Sequence, residues 1–195
     1  MGRMEANSND SSPALARSPM SGNVFLVGMM GAGKTSVGRL LAKHLGKTFY
    51  DSDQVIEERT GVRIPLIFEI EGETGFRHRE HQIVEEIAAM ENIVLATGGG
   101  AVLLESNRSA LKNGGTVIYL RASVRELLHR TRHDKNRPLL QTPDPKAKLT
   151  ELLAVREPLY AEVAHLIVDT GSQSLKTLVC RIEQMLSEPA SVDSE

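Results

Sequence analysis

The octet Gly28-Met29-Met30-Gly31-Ala32-Gly33-Lys34-Thr35 constrains this chain more than any other stretch, because it joins an apolar run to an amphipathic one. Val24-Phe25-Leu26-Val27 reads as a buried strand, and Val37, Leu40, Leu41 and Leu45 fall on one helical face. Strand, glycine-rich loop and helix in that order build an anion cradle. Bare backbone lets several N–H groups converge on one phosphate at the positive end of the helix dipole. The spacing GxxxxGK(S/T) then lets Lys34 reach the outer phosphates and Thr35 offer its hydroxyl to Mg²⁺. Gly31, Ala32, Gly33, Lys34, Thr35 and Ser36 are therefore the candidate phosphate site of a nucleotide, with ATP the expected donor.

Beyond the loop, short β-rich runs alternate with helical patterns. Strands are expected at 24–27, 48–50, 93–96, 116–120 and 165–168, and helices at 34–45, 54–60, 76–90, 106–112, 124–131, 146–157 and 174–187. That alternation predicts an α/β fold of the P-loop NTPase type, three layers deep, with a five-stranded parallel sheet between helices. At 195 residues one domain is expected over 23–188, flanked by tails at 1–22 and 189–195 that lack apolar periodicity and read as disordered. The interval 132–146 holds three prolines and a basic cluster, so it reads as a loop acting as a mobile lid over the nucleotide.

A net charge of −2 gives no electrostatic reason to expect nucleic acid or an anionic membrane as partner. No run is long and apolar enough for a membrane span, and the single cysteine, Cys180, suits a reducing compartment, so a cytoplasmic protein is expected, and a monomer because no extra apolar stripe is left unassigned. Cys180 sits among Leu175, Leu178, Val179 and Ile182 and reads as a buried helix residue.

The strand at 93–96 runs into Thr97-Gly98-Gly99-Gly100 without the carboxylate that many phosphate-loop proteins use for the metal. Asp51-Ser52-Asp53, after the strand at 48–50, is the better source. In a parallel sheet the carboxyl ends of strands line the ligand crevice, and two acids one residue apart on extended backbone point the same way. One carboxylate would serve Mg²⁺ while the other accepts a proton from a substrate hydroxyl; Asp53 also fits the simpler role of helix cap. Three glycines at 98–100 suit close approach of a small ligand to backbone N–H groups. Locally, Arg77 reads as an ion-pair partner of Glu73 and Glu80, and Arg156 as a cation ending a helix.

Taken together, GMMGAGKT, Asp51-Ser52-Asp53 with Val55-Ile56-Glu57, Gly72 through Phe76-Arg77, Gly98-Gly99-Gly100, Arg137-Pro138-Leu139-Leu140 and Arg156 with Pro158-Leu159-Tyr160 resemble the shikimate kinase family over about residues 23–186. The resemblance implies transfer of the γ-phosphoryl of ATP to the 3-hydroxyl of shikimate, a step toward chorismate and the aromatic amino acids. It implies that Asp53 binds substrate hydroxyls and acts as base, that Arg77 and Arg156 grip the carboxylate, and that Gly98, Gly99 and Gly100 contact the substrate. Thr35, with Asp51 indirectly, would hold Mg²⁺. Lys34 and Arg137 would meet the transferring phosphate, Arg130 would lie by the nucleotide and Gln173 by adenine. The segment 62–70 and the lid vary in this family, and residues 1–22 fall outside the match. Two alternatives share the phosphate loop: a kinase of another acceptor, such as gluconate or a nucleoside monophosphate, and a nucleotide-dependent switch. Against the switch, the chain has no Asn-Lys-x-Asp guanine-reading motif.

Overall fold

A computed structural model describes residues 22–134 and 137–188. The expected tails, save Gly22, and the lid residues Lys135 and Asn136 lie outside the described residues. Five strands, β1 (Asn23–Val27), β2 (Thr48–Asp51), β3 (Ile93–Ala96), β4 (Gly115–Arg121) and β5 (Leu166–Asp169), form one sheet in the order β2-β3-β1-β4-β5. Every neighbouring pair is parallel. β1 and β3 are buried at every position, as a sheet covered on both faces requires. The helices are α1 (Lys34–Leu45), α2 (Ser52–Thr60), α3 (Ile64–Ala88), α4 (Glu105–Gly114), α5 (Val124–Thr131), α6 (Pro145–Val163) and α7 (Leu175–Ser187). α1 packs on α7, whereas α3, α4 and α6 pack in succession on one another, giving the two outer layers.

The strand order places the site. β1 lies between β3 and β4, so the chain leaves it toward one edge and later returns on its other side. Such a switch point opens a crevice at the carboxyl ends of the strands. Asp51 pairs with Ala96 and Ala96 with Leu26, so the segments following β1, β2 and β3 emerge side by side.

Three departures from the expected elements matter. The helix expected at 76–90 begins at Ile64 instead: Pro65 sits in its first turn, where a missing N–H costs nothing, and Gly72 absorbs a kink at φ 69° and ψ −177°. The helix expected to end at Glu157 continues through Pro158 to Val163, so Arg156 is interior to α6 rather than at its end. Within the expected loop at 132–146, Pro138–Leu140 forms a 3₁₀ turn with Leu140 buried, and α6 starts at Pro145. Cys180 is exposed, because Leu178, Val179 and Ile182 take the inward face of α7.

β1 is anchored at its start. Asn23, buried, donates through Nδ2 to Met90 O (2.7 Å) and Gly114 O (3.1 Å) and accepts from Ile93 N (3.1 Å). One side chain thus ties β1 to the start of β3 and the end of α4. Asn23→Ala leaves those groups unpaired and should cost about 2–3 kcal/mol. A urea midpoint unchanged from wild type would contradict that anchoring role.

Candidate active site

The phosphate loop takes the backbone its glycines were expected to permit, with Gly31 at φ 81° and Gly33 at φ 96°. A Cβ on Gly28 would stand 2.6 Å from Leu120 O, so the loop can pass over β4 only without a side chain there. Lys34 folds back and donates to Gly28 O (2.7 Å) and Met29 O (2.8 Å). Burial, and then the nearby charge of Arg137, pushes its ammonium down to about 8, with Asp53 and Asp51 opposing. Ala32 is buried, and its N–H donates to Met29 O (3.1 Å) inside the loop.

Asp51 ends β2 and caps α2: its Oδ1 accepts from Asp53 N (3.1 Å) and Gln54 N (3.4 Å), while Oδ2 accepts from the Thr35 hydroxyl (2.6 Å). The cap is therefore Asp51, not Asp53. Asp53 lies in the first helical turn, so the two acids do not share an extended backbone. Its Oδ1 is buried without a hydrogen-bond partner among the described residues, and its Oδ2 stands 3.9 Å from Arg137 Nη1. Burial, and then the charge of Asp51, raises the Asp53 carboxyl above the ordinary range.

The triple glycine serves the protein's own charged groups more than was expected. Gly98 N–H donates to the buried Ser52 hydroxyl (2.8 Å) and is thereby occupied. A Cβ on Gly98 would collide with Glu80 Oε1 and stand 2.7 Å from Asp53 Oδ1, and one on Gly100 would collide with the Arg77 guanidinium. Arg77 is bonded by Glu73 (3.1 Å from Nη2) and by Glu80 (2.5 Å from Nη1). Both expected ion pairs form, yet Glu80 is fully buried, so this is no surface pair. Burial pushes the Glu80 carboxyl up to about 7, opposed by Arg77 and helped by Asp53. Arg156, 2% exposed, leaves Nη1 without a hydrogen-bond partner among the described residues.

Two adjoining cavities collect these groups. One, a cleft of about 460 Å³ open to solvent, is lined by Asp53, Arg77, Glu80, Gly98, Gly99, Gly100, Arg137 and Arg156, with Ile64, Phe68, Phe76, Pro138 and Leu139 as apolar wall. The other, about 740 Å³, is lined by Gly31, Gly33, Lys34, Thr35, Ser36, Asp51, Thr97 and Arg130. Met30, Asp53, Gly99 and Arg137 border both. Arg130 bonds Thr170 Oγ1 (3.1 Å) and Gly171 O (2.8 Å) and, with Gln173, lines a third recess that continues from the second. Every expected site residue except Ala32 thus borders one of three connected hollows. Glu80, Ser52 and the apolar wall from the first half of α3 went unforeseen. The spacing of Arg77 and Glu80 was visible, but their burial was not.

An anion cradle facing a small cleft of mixed charge, on a 2-3-1-4-5 parallel sheet, defines a P-loop phosphotransferase with a separate acceptor site. The family model described as shikimate kinase matches residues 30–187. The chain is 63% identical to a shikimate kinase of Nitrosospira multiformis over 86% of each protein, and 59% identical to one of Chromobacterium violaceum over 91% of this chain and 96% of that one. A shikimate kinase from Acinetobacter baumannii, solved in complex with shikimate, superposes with a TM-score of 0.85 at 50% identity, covering 86% of this chain and 94% of the other. The chain belongs to the shikimate kinase family. It is a kinase, a phosphotransferase acting on a hydroxyl group.

The raised Glu80 carboxyl has a consequence for stability. Between pH 4.5 and about 7 the folded chain holds a proton that the unfolded chain releases. The stability this contributes is complete below pH 4.5 and is lost as pH rises through 7. Asp53, also raised, acts in the same direction. Urea unfolding of the ligand-free protein should show this loss between pH 5 and 7.5, and Glu80→Gln should flatten it. An identical slope in the variant would contradict burial of an ionisable Glu80.

Proposed function

We propose that this chain transfers the γ-phosphoryl of ATP to the 3-hydroxyl of shikimate, yielding shikimate 3-phosphate and ADP. One observation carries the choice of acceptor: among the described residues, four buried side-chain polar atoms lack partners, and Asp53 Oδ1, Glu80 Oε1 and Arg156 Nη1 belong to residues lining the same cleft. Two acceptors and one cationic donor complement a ring bearing hydroxyls and a carboxylate. A buried group left unpaired costs about 1–3 kcal/mol, which such a ligand relieves.

In this reading Arg77 and Arg156 hold the carboxylate through planar guanidinium groups. Asp53 receives or orients the 3-hydroxyl at Oδ1, on the border with the nucleotide cavity. Lys34 leaves the carbonyls of Gly28 and Met29 for the phosphates, and Arg137, in the segment we propose closes as a lid, meets the γ-phosphoryl. Arg130 flanks the nucleotide, with Gln173 beside adenine. Thr35 would hold Mg²⁺, with Asp51 acting indirectly. Among the described residues no group of three His, Cys, Asp or Glu side chains can hold a metal alone, and a hydroxyl with a carboxylate suits an ion that keeps waters and phosphate oxygens. The metal would neutralise phosphate charge. Positioning and charge neutralisation supply most of the catalysis of a loose phosphoryl transfer. Residues 23–188 act as one kinase unit, and we place it in the cytoplasm as a monomer. Among the described residues no helix is long and apolar enough to cross a membrane.

ADP production should depend on shikimate and not on gluconate or AMP; preference for either of the latter overturns the acceptor assignment. Lys34→Ala should remove nearly all transfer. Asp53→Asn should lower kcat by at least about 100-fold while ATP still binds, as loss of a general base does. A near wild-type kcat would remove Asp53 from proton transfer. Arg156→Ala should raise the KM for shikimate about 10- to 100-fold, the worth of a charge-assisted hydrogen bond. An unchanged KM would exclude it from the carboxylate site.

A further inference from the structure

Behind the acceptor cleft, α6 carries a buried tyrosine one helical turn beyond Arg156. Tyr160 is fully buried and its hydroxyl donates to Gly99 O at 2.5 Å. Its ring stacks on Tyr119, with centroids 5.0 Å apart and planes at 28°. The Tyr119 ring in turn lies 3.6 Å from the point a Gly28 Cβ would occupy, so the two rings form a column reaching from the glycine turn to the phosphate loop. Gly99 is packed between both halves of the site. The position of its missing Cβ is 3.3 Å from Met30 N, 3.6 Å from Gly28 O and 3.6 Å from Arg156 Nη1.

We propose that Tyr160 is a positioning residue of the acceptor site, acting through Gly99, whose carbonyl it anchors so that the glycine turn keeps its orientation against Arg156 and the phosphate loop. The proposal rests on the acceptor reading above. Because the peptide is planar and trans, fixing the Gly99 carbonyl also fixes the Gly100 N–H in the opposite direction, away from Tyr160. A bare glycine turn has no side chain to hold this plane; its freedom must be removed from outside. Burial, opposed by the Arg156 guanidinium beside it, raises the Tyr160 hydroxyl above its ordinary range, so it stays a proton donor through neutral and mildly alkaline pH. Tyr119 supplies the contrast: its hydroxyl is buried without a partner among the described residues, so only its ring has a use here.

The test is steady-state kinetics of the full chain with Tyr160→Phe, with Tyr160 replaced by 4-aminophenylalanine, a weaker donor of the same shape, and with Tyr119→Phe as control. The proposal expects the shikimate KM to rise at least 10-fold in Tyr160→Phe and by an intermediate factor with the amine, while the ATP KM stays within twofold. Tyr119→Phe should match wild type in both. Should Tyr160→Phe fail to fold, the comparison of amine with tyrosine decides by the same criterion. Unchanged constants, equal rises in both KM values, or a lowered melting temperature with unchanged shikimate KM would reduce Tyr160 to a core residue and overturn the proposal. Wild-type enzyme indifferent to shikimate would instead refute the acceptor reading itself.

Discussion

Space above residues 98–100 is filled by the protein's own charges, and the arrangement of the cleft depends on that exclusion. Glu80 Oε1 and Asp53 Oδ1 press on Gly98, Arg77 lies against Gly100, and the phosphate loop with Arg156 closes on Gly99. A methyl group at 98 or 100 would need to stand where a carboxylate or guanidinium now is. The turn is therefore a shared floor: α2 lowers Asp53 onto it, α3 lowers Glu80 and Arg77, and α6 brings Arg156 from the far side. Sheet order makes this meeting possible, since β2, β3 and β1 end side by side.

Charge on that floor is close to balanced but incompletely paired. Arg77 is satisfied by Glu73 and Glu80, whereas Arg156 Nη1, Asp53 Oδ1 and Glu80 Oε1 are buried with no hydrogen-bond partner among the described residues. Unpaired buried polar atoms are costly in a folded protein, and their concentration in one cleft is the mark of a site preorganised for a polar ligand. Lys34 displays the same economy from the nucleotide side. Its ammonium rests on two carbonyls of its own loop, lowered in pKa by burial and Arg137, beside the phosphates it is suited to meet.

Much of this was legible beforehand, for definable reasons. Short β-rich runs located all five strands and the 3.6-residue period at least part of each of the seven α-helices among the described residues, and α1 and α5 begin and end where expected. Errors gathered at prolines and glycines. The stretch holding Pro65 and Gly72 was not expected to be helical, and the last long helix before β5 was expected only to residue 157, yet a proline in the first turn, a glycine kink and an interior proline were each tolerated once packing favoured the helix. For the site, the phosphate loop and Asp51 were readable because backbone geometry and strand ends impose local patterns. Arg77, Arg156 and Glu80 were not, since their importance arises from burial and from partners brought by other elements. Resemblance to a family, not local pattern, singled out the two arginines. Asp53 was singled out, but its backbone was misjudged, because a cap on Asp51 starts the helix two residues sooner than the pattern implied.

The most direct test of the central claim is a crystal structure of the protein with shikimate and ADP. The account predicts the carboxylate bonded by Arg77 and by the now satisfied Nη1 of Arg156, with the 3-hydroxyl at Asp53 Oδ1 and turned toward the nucleotide cavity. A ligand seated elsewhere, or bound in the cleft with Arg156 Nη1 and Asp53 Oδ1 both still unpaired, would contradict it.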